Sequence, residues 1–189
     1  MGRPVRVALD DLPGSGAGEL ADDLVDPLRE RGREALRVSA EDFVRPASLR
    51  LERGRDDPDA YYEDRYDLRA LRREVLVPLA SDGLRWWLPT LWDPVTDRAT
   101  RAPRRGASAV AVLLLDGPFL LRPPLLEALD VSVHVALTPG ARPRRVPAPL
   151  AHPVLGAAQR YDAECAPQLT ATFVVRADDP RRPALLAPG

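Results

Sequence analysis

The sequence contains no lysine, so arginine supplies all 27 of its basic residues. This absence excludes any reaction that needs a lysine, either to form a Schiff base or to reach the terminal phosphates of a nucleotide. Codon bias in a GC-rich genome also produces such a composition, because alanine, proline and arginine are abundant here. Codon bias and loss of a functional lysine therefore both stay open.

Cysteine and histidine are scarce as well. The single cysteine excludes a disulfide within the chain and any metal site built from several cysteines. Two histidines argue against a histidine-rich zinc site. We therefore expect no metal and no resident cofactor.

Positive and negative charges nearly cancel, leaving a formal net charge of −1. This balance gives no electrostatic reason to expect nucleic acid or an anionic membrane as a partner. The sequence shows no basic-then-apolar leader, and no apolar run approaches the roughly 18 residues that a membrane span needs. The prediction is a cytoplasmic protein that binds a small molecule, with association into a homo-oligomer left open.

A glycine-rich turn near the start follows an apolar, strand-like run over residues 4–9 and precedes a helical pattern. A phosphate-binding loop, G-x-x-x-x-G-K-[ST], belongs in such a place, because its backbone N–H groups surround phosphates while the lysine and hydroxyl hold phosphate and Mg²⁺. The residues in that register are Asp11, Gly14, Gly16, Ala17 and Gly18. Small residues of the loop are kept, but the first glycine, the lysine and the hydroxyl are missing.

Helical spacing follows the turn. Leu20, Leu24 and Leu28 recur every four residues, which predicts a helix over residues 18–31. Pro27 lies inside this helix and is expected to kink it, because proline removes a backbone hydrogen bond and clashes with the preceding turn.

Strand and helix patterns alternate along the chain. A short strand is predicted over 35–38, and the most apolar run, 109–115, is interpreted as a central strand that delivers Asp116 to a crevice. The order predicts right-handed βαβ units and hence one α/β domain over 1–189, a three-layer sandwich with a parallel sheet. The other predicted elements are a helix begun by Asp57-Pro58, a core helix capped by Asp67, a hairpin-like excursion over 84–105, a short helix over 123–129, strands over 131–137 and 172–175, and a helix over 154–164.

Five segments carry a family pattern in the same order. They are the turn over 9–20, E-D-F-V-R-P over 41–46, R-G-R-D-D-P-D-A-Y-Y-E-D over 53–64, L-D-G-P-F-L-L-R-P over 115–123, and D-P at 179–180. The second and third segments are the most specific. Together the five resemble the P-loop nucleoside kinases, in particular the uridine kinase-like proteins of the actinobacterial type, and imply the P-loop kinase fold.

The resemblance implies roles for four acidic residues. In these kinases, the acidic residue two places before Phe accepts the proton of the nucleoside hydroxyl; Glu41 holds that place here, with Asp42 beside it. The acidic residue two places before Pro in the third segment binds sugar hydroxyls, and it falls on Asp56. Asp116 resembles the residue that positions Mg²⁺-bound water. We expect the first three to be catalytic.

The remaining predicted ligand-binding residues are aromatic and basic. They are Phe43, Arg45, Tyr61, Tyr62, Trp86, Trp92, Arg142 and Arg145, together with Asp116. For the tryptophans, simple packing in the core or lid is the alternative to a ligand wall. The arginines over 138–153 match a kinase lid, but prolines interrupt them, and residues 180–189 are predicted to be a proline-rich tail.

Three functions stay open. The favoured one is an enzyme of secondary metabolism that has lost ATP-dependent phosphoryl transfer and uses its crevice carboxylates for a cyclisation, isomerisation or dehydration. The second is a non-catalytic pseudokinase that binds a nucleoside-like ligand or a partner. The third is a genuine nucleoside phosphotransferase using Mg·ATP, in which Arg142, Arg144 or Arg145 replaces the missing lysine.

Overall fold

The computed structural model describes residues 2–80, 82–179 and 181–186. The strands of this part are β1 (Val5–Asp11), β2 (Ala35–Ser39), β3 (Trp86–Trp87), β4 (Trp92–Asp93), β5 (Arg98–Ala99), β6 (Arg105–Gly106), β7 (Val112–Pro118), β8 (Val131–Ala136), β9 (Phe173–Arg176) and β10 (Ala184–Leu186). The α-helices are α1 (Ala17–Asp23), α2 (Val25–Glu30), α3 (Ala47–Arg50), α4 (Pro58–Glu63), α5 (Leu68–Leu71), α6 (Arg142–Arg145), α7 (Ala151–Cys165) and α8 (Pro167–Thr170). A π-helical turn, Arg72–Leu76, continues α5, and short 3₁₀ turns span Ala40–Phe43, Leu126–Ala128 and Ala148–Leu150.

Six strands form the central sheet in the order β10-β9-β8-β1-β7-β2. All neighbours run parallel except β10, which pairs antiparallel with β9. The register places Leu9 beside Asp116, and Asp116 beside Ser39. The carboxyl ends of β1, β7 and β2 therefore meet at one edge of the sheet, where parallel α/β sheets form their ligand crevices.

Strand β7 is buried on both faces of the sheet. Leu113 and Leu115 pack into a large cluster beneath α4, α5 and α7, whereas Val112 and Leu114 pack into a smaller cluster beneath α1 and α2. Apolar side chains are required on both faces of such a strand, which explains the continuous apolar run in the sequence. The prediction of a buried strand that carries Asp116 is confirmed, although the strand begins at Val112 rather than at residue 109.

The predicted helix over 18–31 is two helices. The first ends at Asp23 and the second begins at Val25, so the break lies at Leu24. The ring of Pro27 conflicts with the carbonyl four residues earlier, which belongs to Asp23. The expected kink is therefore present, one turn before the proline that accounts for it.

Two of the helix starts are as the sequence predicts. The Asp57 carboxylate accepts a hydrogen bond from the Ala60 N–H at 2.7 Å, and the Asp67 carboxylate accepts one from the Ala70 N–H at 2.8 Å. These caps satisfy backbone donors that a helix leaves unpaired at its first turn. Helix α4 thereby presents Tyr61 towards the crevice side of the domain.

The excursion between the core helix and β7 contains two hairpins. Strand β3 pairs with β6, and β4 pairs with β5, so the predicted hairpin-like shape is confirmed. The predicted helix over 123–129 is reduced to the turn Leu126–Ala128. Part of the predicted proline-rich tail is strand β10, and the rest of that tail includes residues that lie outside the described ranges. Among the described residues, no helix combines the length and the apolar character needed to cross a membrane.

Candidate functional site

Carboxylates gather at the crevice edge of the sheet. Asp11 ends β1, Asp116 lies near the end of β7, and the 3₁₀ turn after β2 carries Glu41 and Asp42. Within the described residues, no group of three or more histidine, cysteine or acidic side chains is arranged to hold a metal ion. The chemistry of this edge therefore depends on how each carboxylate is paired.

The glycine-rich loop connects β1 to α1 in the shape that its glycines allow. Gly14 and Gly16 have φ values of 90° and 99°, which side chains other than glycine rarely adopt. Ala17, at the position that the motif gives to lysine, is the first residue of α1 and is 1% exposed. The Ser15 hydroxyl donates a hydrogen bond to the Asp11 carboxyl at 2.7 Å. The loop thus encloses a carboxyl group of its own chain.

Burial dominates the ionisation of this carboxyl. It raises the pKa of Asp11 well above its usual value, because a buried carboxylate loses its hydration. The Ser15 hydroxyl lowers that pKa, while the negative charges of Asp10 and Asp116 raise it, but burial has the largest effect. The neutral carboxyl is therefore favoured in the folded chain relative to the unfolded chain.

Arg145 lies against the loop. Its Nε and Nη2 atoms donate hydrogen bonds to the Gly14 carbonyl oxygen at 3.1 and 2.7 Å. A Cβ atom on Gly14 would lie 2.2 Å from the carbonyl oxygen of Arg145, so only glycine permits this approach. The other predicted lid arginines bind elsewhere: Arg142 pairs with Asp162 at 2.5 Å, and Arg144 donates to the Gly140 carbonyl at 2.7 Å.

Asp116 is paired with a cation from the neighbouring strand. Arg37, in the middle of β2, donates to the Asp116 carboxylate at 2.7 Å and to Asp22 at 2.8 Å. A Cβ atom on Gly18, the position of the missing hydroxyl, would lie 3.6 Å from the Asp116 carboxylate. A guanidinium thus neutralises the carboxylate beside the place where the motif has its Mg²⁺ ligand. The sequence predictions missed Arg37; its only signal is a charged residue inside a short, otherwise apolar strand.

Glu41 is held by two side chains that follow α4. Nη2 of Arg65 donates to its two carboxylate oxygens at 3.1 and 2.9 Å, and the Tyr66 hydroxyl donates at 2.5 Å. The Arg65 guanidinium also lies 5.0 Å from the Tyr61 ring centroid and 5.3 Å from that of Tyr66, within range of a cation–π contact. Sequence reasoning assigned no role to Arg65, and no local pattern marks it.

Asp42 is in a different environment from Glu41. Its carboxyl faces back to Ser39 in a capping box that begins the 3₁₀ turn. Burial raises the pKa of Asp42, and the nearby charges of Asp116 and Glu41 raise it further. The raised pKa makes Asp42 a candidate for a general acid.

A cavity of about 670 Å³, which we call the acceptor cavity, is linked to this pair through Arg65, which donates to Glu41; neither Glu41 nor Asp42 lines it. Asp56, Tyr61 and Arg65 line it, and it is bordered by the lid segment at Pro149 and Leu150. Tyr61 is 6% exposed, and its hydroxyl has no hydrogen-bond partner among the residues that the structure describes. This oxygen has almost no exposed surface, and a buried hydroxyl without a partner is costly, so a ligand gains a hydrogen bond here only if it reaches the atom.

The other predicted ligand-binding aromatics are dispersed. Phe43 is fully buried in the core, and the Tyr62 hydroxyl donates to Glu164 at 2.9 Å. Trp92 is half-buried, and its indole N–H donates to Asp97 at 3.0 Å at the margin of the acceptor cavity. Trp86 is 59% exposed in a separate cleft formed with Leu84. The structure therefore brings Tyr61 and Trp92 near the predicted carboxylates, but not the other three aromatics.

A buried pair, Asp10 and His134, lies next to the start of the glycine-rich loop. Asp10, fully buried, is joined to His134 Nδ1 at 2.7 Å and accepts the Leu120 N–H at 2.8 Å. These bonds link β1 to β8 and to the segment after β7. The pair was not anticipated from the sequence, since nothing local connects residues so far apart in the chain.

Comparison with known proteins gives structural relatives only. No family model matches the sequence. No curated protein matches it either. A protein from Bacillus stearothermophilus, described as a possible uridine kinase, superposes with a TM-score of 0.73 and 22% identity over 92% of this chain and 89% of its own. A protein from Silicibacter sp. TM1040, assigned as a fructose transport system kinase, gives a TM-score of 0.65 and 24% identity over 86% of this chain and 85% of its own.

These likenesses define the fold. The chain has the fold of the P-loop kinases, with a mostly parallel sheet between helical layers, as the sequence predicts. More particularly, it is a uridine kinase-like P-loop fold, which confirms the predicted fold class.

Asp11→Asn is expected to alter the pH dependence of stability. The pKa of Asp11 is higher in the folded chain than in the unfolded chain, where it is about 3.9. The wild-type protein therefore loses stability as the pH rises from the unfolded-state pKa through the folded-state pKa. The loss is about 1.4 kcal/mol for each unit by which the two pKa values differ. The asparagine variant lacks this loss. Urea unfolding should therefore show a stabilisation of Asp11→Asn, relative to wild type, that is larger at pH 7 than at pH 4. Asp23→Asn, which changes an exposed residue of α1, is the control; equal pH profiles for Asp11→Asn and wild type would contradict the assignment.

Proposed function

We propose that this protein binds a nucleoside-like small molecule in the acceptor cavity and does not transfer phosphoryl groups from ATP. One observation carries the proposal: the Asp11 carboxyl of the chain itself, bonded to Ser15, lies in the phosphate loop, and Arg145 contacts Gly14 at the edge of a cleft of about 420 Å³ beside the loop. The acceptor cavity, lined by Arg65, is separate from these groups. A nucleotide would have to displace these groups, whereas a ligand of the acceptor cavity would not.

The electrostatics of the loop support this. Phosphoryl transfer relies on positioning and on cations that stabilise charge, and Ala17 supplies none at the lysine position. If the Asp11 carboxyl is ionised, a phosphate charge about 4 Å away meets a repulsion of roughly 4 kcal/mol at an effective dielectric constant of 20. If it is protonated, the carboxyl still fills the loop. Either state disfavours bound ATP.

The arginines of the lid segment are already engaged. For Arg142 to replace the missing lysine it would have to leave Asp162, to which it donates at 2.5 and 3.2 Å, and Arg145 would have to leave Gly14. Hydrogen bonds to charged groups contribute about 1.5–3 kcal/mol each, so this rearrangement is costly. The phosphotransferase alternative is therefore the least supported of the three.

Calorimetric titration with Mg·ATP tests the proposal directly. We expect no magnesium-dependent binding by wild type at millimolar nucleotide, because the loop lacks its cation and contains its own carboxyl. Uridine and cytidine are titrated in parallel, since the acceptor cavity is expected to be accessible without nucleotide. Tight, magnesium-dependent binding of ATP, with ADP formed when a nucleoside is added, would overturn the proposal in favour of a phosphotransferase.

The acceptor cavity offers the groups that a sugar or base needs. Asp56 provides a carboxylate at its rim, and Tyr61 provides a buried hydroxyl that no described protein group satisfies. Carboxylates and hydroxyls are suitable partners for ribose hydroxyl groups. The structural neighbour described as a possible uridine kinase also supports a nucleoside-like ligand.

Tyr61→Phe is expected to weaken uridine binding about five- to tenfold, the effect of losing one hydrogen bond of about 1 kcal/mol or slightly more. The fold should be unaffected, because the hydroxyl bonds to no described residue. Tyr62→Phe is the matched control, since the neighbouring Tyr62 hydroxyl donates to Glu164 outside the acceptor cavity, and its loss should leave affinity unchanged. Calorimetry measures both variants. Equal affinities of the Tyr61 variant and wild type would remove this hydroxyl from the site.

Acid–base catalysis is a second candidate function of the same site. The observation that favours it is the pair Glu41 and Asp42: the first is held by Arg65 and Tyr66, and burial raises the pKa of the second. A carboxylate held in a fixed position suits a general base, and a carboxyl group with a raised pKa suits a general acid. An isomerisation, dehydration or cyclisation in secondary metabolism would use it. The non-catalytic binder remains the alternative.

Glu41→Gln separates catalysis from binding. Isomerisation and dehydration remove a proton from carbon, so wild type should exchange solvent deuterium into a ligand that turns over, observed by NMR in D₂O. We expect Glu41→Gln to slow this exchange at least about a hundredfold, the usual contribution of a general base, while its ligand affinity is retained. Exchange that persists in the variant would exclude Glu41 as the base. If wild type binds uridine but exchanges no ligand in the panel, the pseudokinase function is favoured.

A further inference from the structure

A second cleft of about 540 Å³ lies at the end of α4 and the start of α5, next to residues 122–124. Three arginines from separate parts of the chain line it: Arg45, Arg69 and Arg122. We call it the arginine cleft. Arg45 is a predicted ligand-binding residue, and Tyr66, which donates to Glu41, also lines the cleft, but the cleft shares no lining residue with the acceptor cavity.

The acidic residues of the arginine cleft are already engaged. Glu63 accepts hydrogen bonds from Arg53 at 3.2 Å and is paired with Arg160 at 2.7 Å. The Asp67 carboxylate caps α5 by accepting the Ala70 N–H at 2.8 Å. These two carboxylates therefore do little to neutralise the arginines, and the excess charge of the cleft is positive.

The three guanidinium groups differ in how firmly they are held. The Arg122 guanidinium carbon lies 3.9 Å from the centroid of the Tyr62 ring, and one N–H of this residue donates to the Tyr62 carbonyl at 2.6 Å, so two contacts hold it in place. Arg45 pairs with Asp64 at 3.1 Å. Arg69 is exposed, and its side chain makes no ion pair or hydrogen bond within residues 2–80, 82–179 and 181–186. The cleft is therefore lined by one arginine held by two contacts, Arg122, one arginine in an ion pair, Arg45, and one arginine without a described partner, Arg69.

Planar guanidinium forks recognise phosphate by paired, charge-assisted hydrogen bonds. The cleft is larger than an inorganic phosphate requires, and Leu68, Pro123 and Pro124 add apolar wall beside the arginines. We propose that the arginine cleft binds an organic phosphate, with its phosphate group on Arg69 and Arg122 and its apolar part against the prolines. This proposal does not rest on the function of the acceptor cavity.

Phenyl phosphate is a suitable probe, because it combines a phosphate dianion with an apolar ring and does not resemble a nucleoside. Calorimetry at constant ionic strength should show saturable binding to wild type. Arg69→Gln is expected to weaken binding about tenfold or more, as expected for loss of a charge-assisted bidentate contact. Arg29→Gln, which changes an arginine that is 64% exposed on α2, is the matched control and should bind like wild type.

Two further titrations test where the ligand binds and which of its chemical groups is recognised. Arg145→Gln tests the phosphate loop, and benzoate, with a carboxylate in place of the phosphate, tests the chemistry. A shift of the Arg69 and Arg122 Nε–H resonances on addition of phenyl phosphate would support the proposal independently of any variant. The proposal is overturned if wild type does not bind, if Arg69→Gln binds as tightly as wild type, if affinity is lost in Arg145→Gln instead, or if benzoate binds as tightly as phenyl phosphate.

Discussion

The proposed function depends first on the hydrogen bond from Ser15 to the Asp11 carboxyl. This bond closes the glycine-rich loop around a group of the same chain, at the point where a strand end and a helix start create a natural anion site. Burying the Asp11 carboxyl removes its hydration, which is why its pKa is raised. Arg145 donates to the Gly14 carbonyl, which joins the lid segment to the loop at the edge of a cleft of about 420 Å³.

The crevice is consequently divided. On the side of β1 and β7, each charge has a partner from the chain, most clearly Arg37 on Asp116. On the side of α4, a cavity remains, and its buried Tyr61 hydroxyl has no described partner. Fold alone does not distinguish a kinase from a binder or from another enzyme, because the same P-loop architecture supports all three. The proposed function therefore rests on the pairing of Asp11 with Ser15, the pairing of Asp116 with Arg37 and the unpaired Tyr61 hydroxyl.

Local chemistry made much of the fold predictable. Asp57 and Asp67 predict their helices because a side-chain oxygen at the N-cap bonds to the turn that follows it. The unbroken apolar run of β7 predicts that this strand is buried. The partners of the crevice carboxylates were not predictable in this way. Arg37 meets Asp116 because two strands distant in sequence are adjacent in the sheet, and Arg65 meets Glu41 because the segment after α4 pairs with the segment after β2. Neither contact leaves a local pattern.

The contact between Arg145 and Gly14 also affects what a lysine at position 17 would do. A lysine returned to position 17 by one mutation would enter a loop in which a carboxyl, not a phosphate, is the nearest anion, and its ammonium group would form an internal ion pair. The lid arginine would still occupy the Gly14 carbonyl. Nucleotide affinity would thus require concerted changes at Asp11, Ala17 and the lid, with no gain from the first alone.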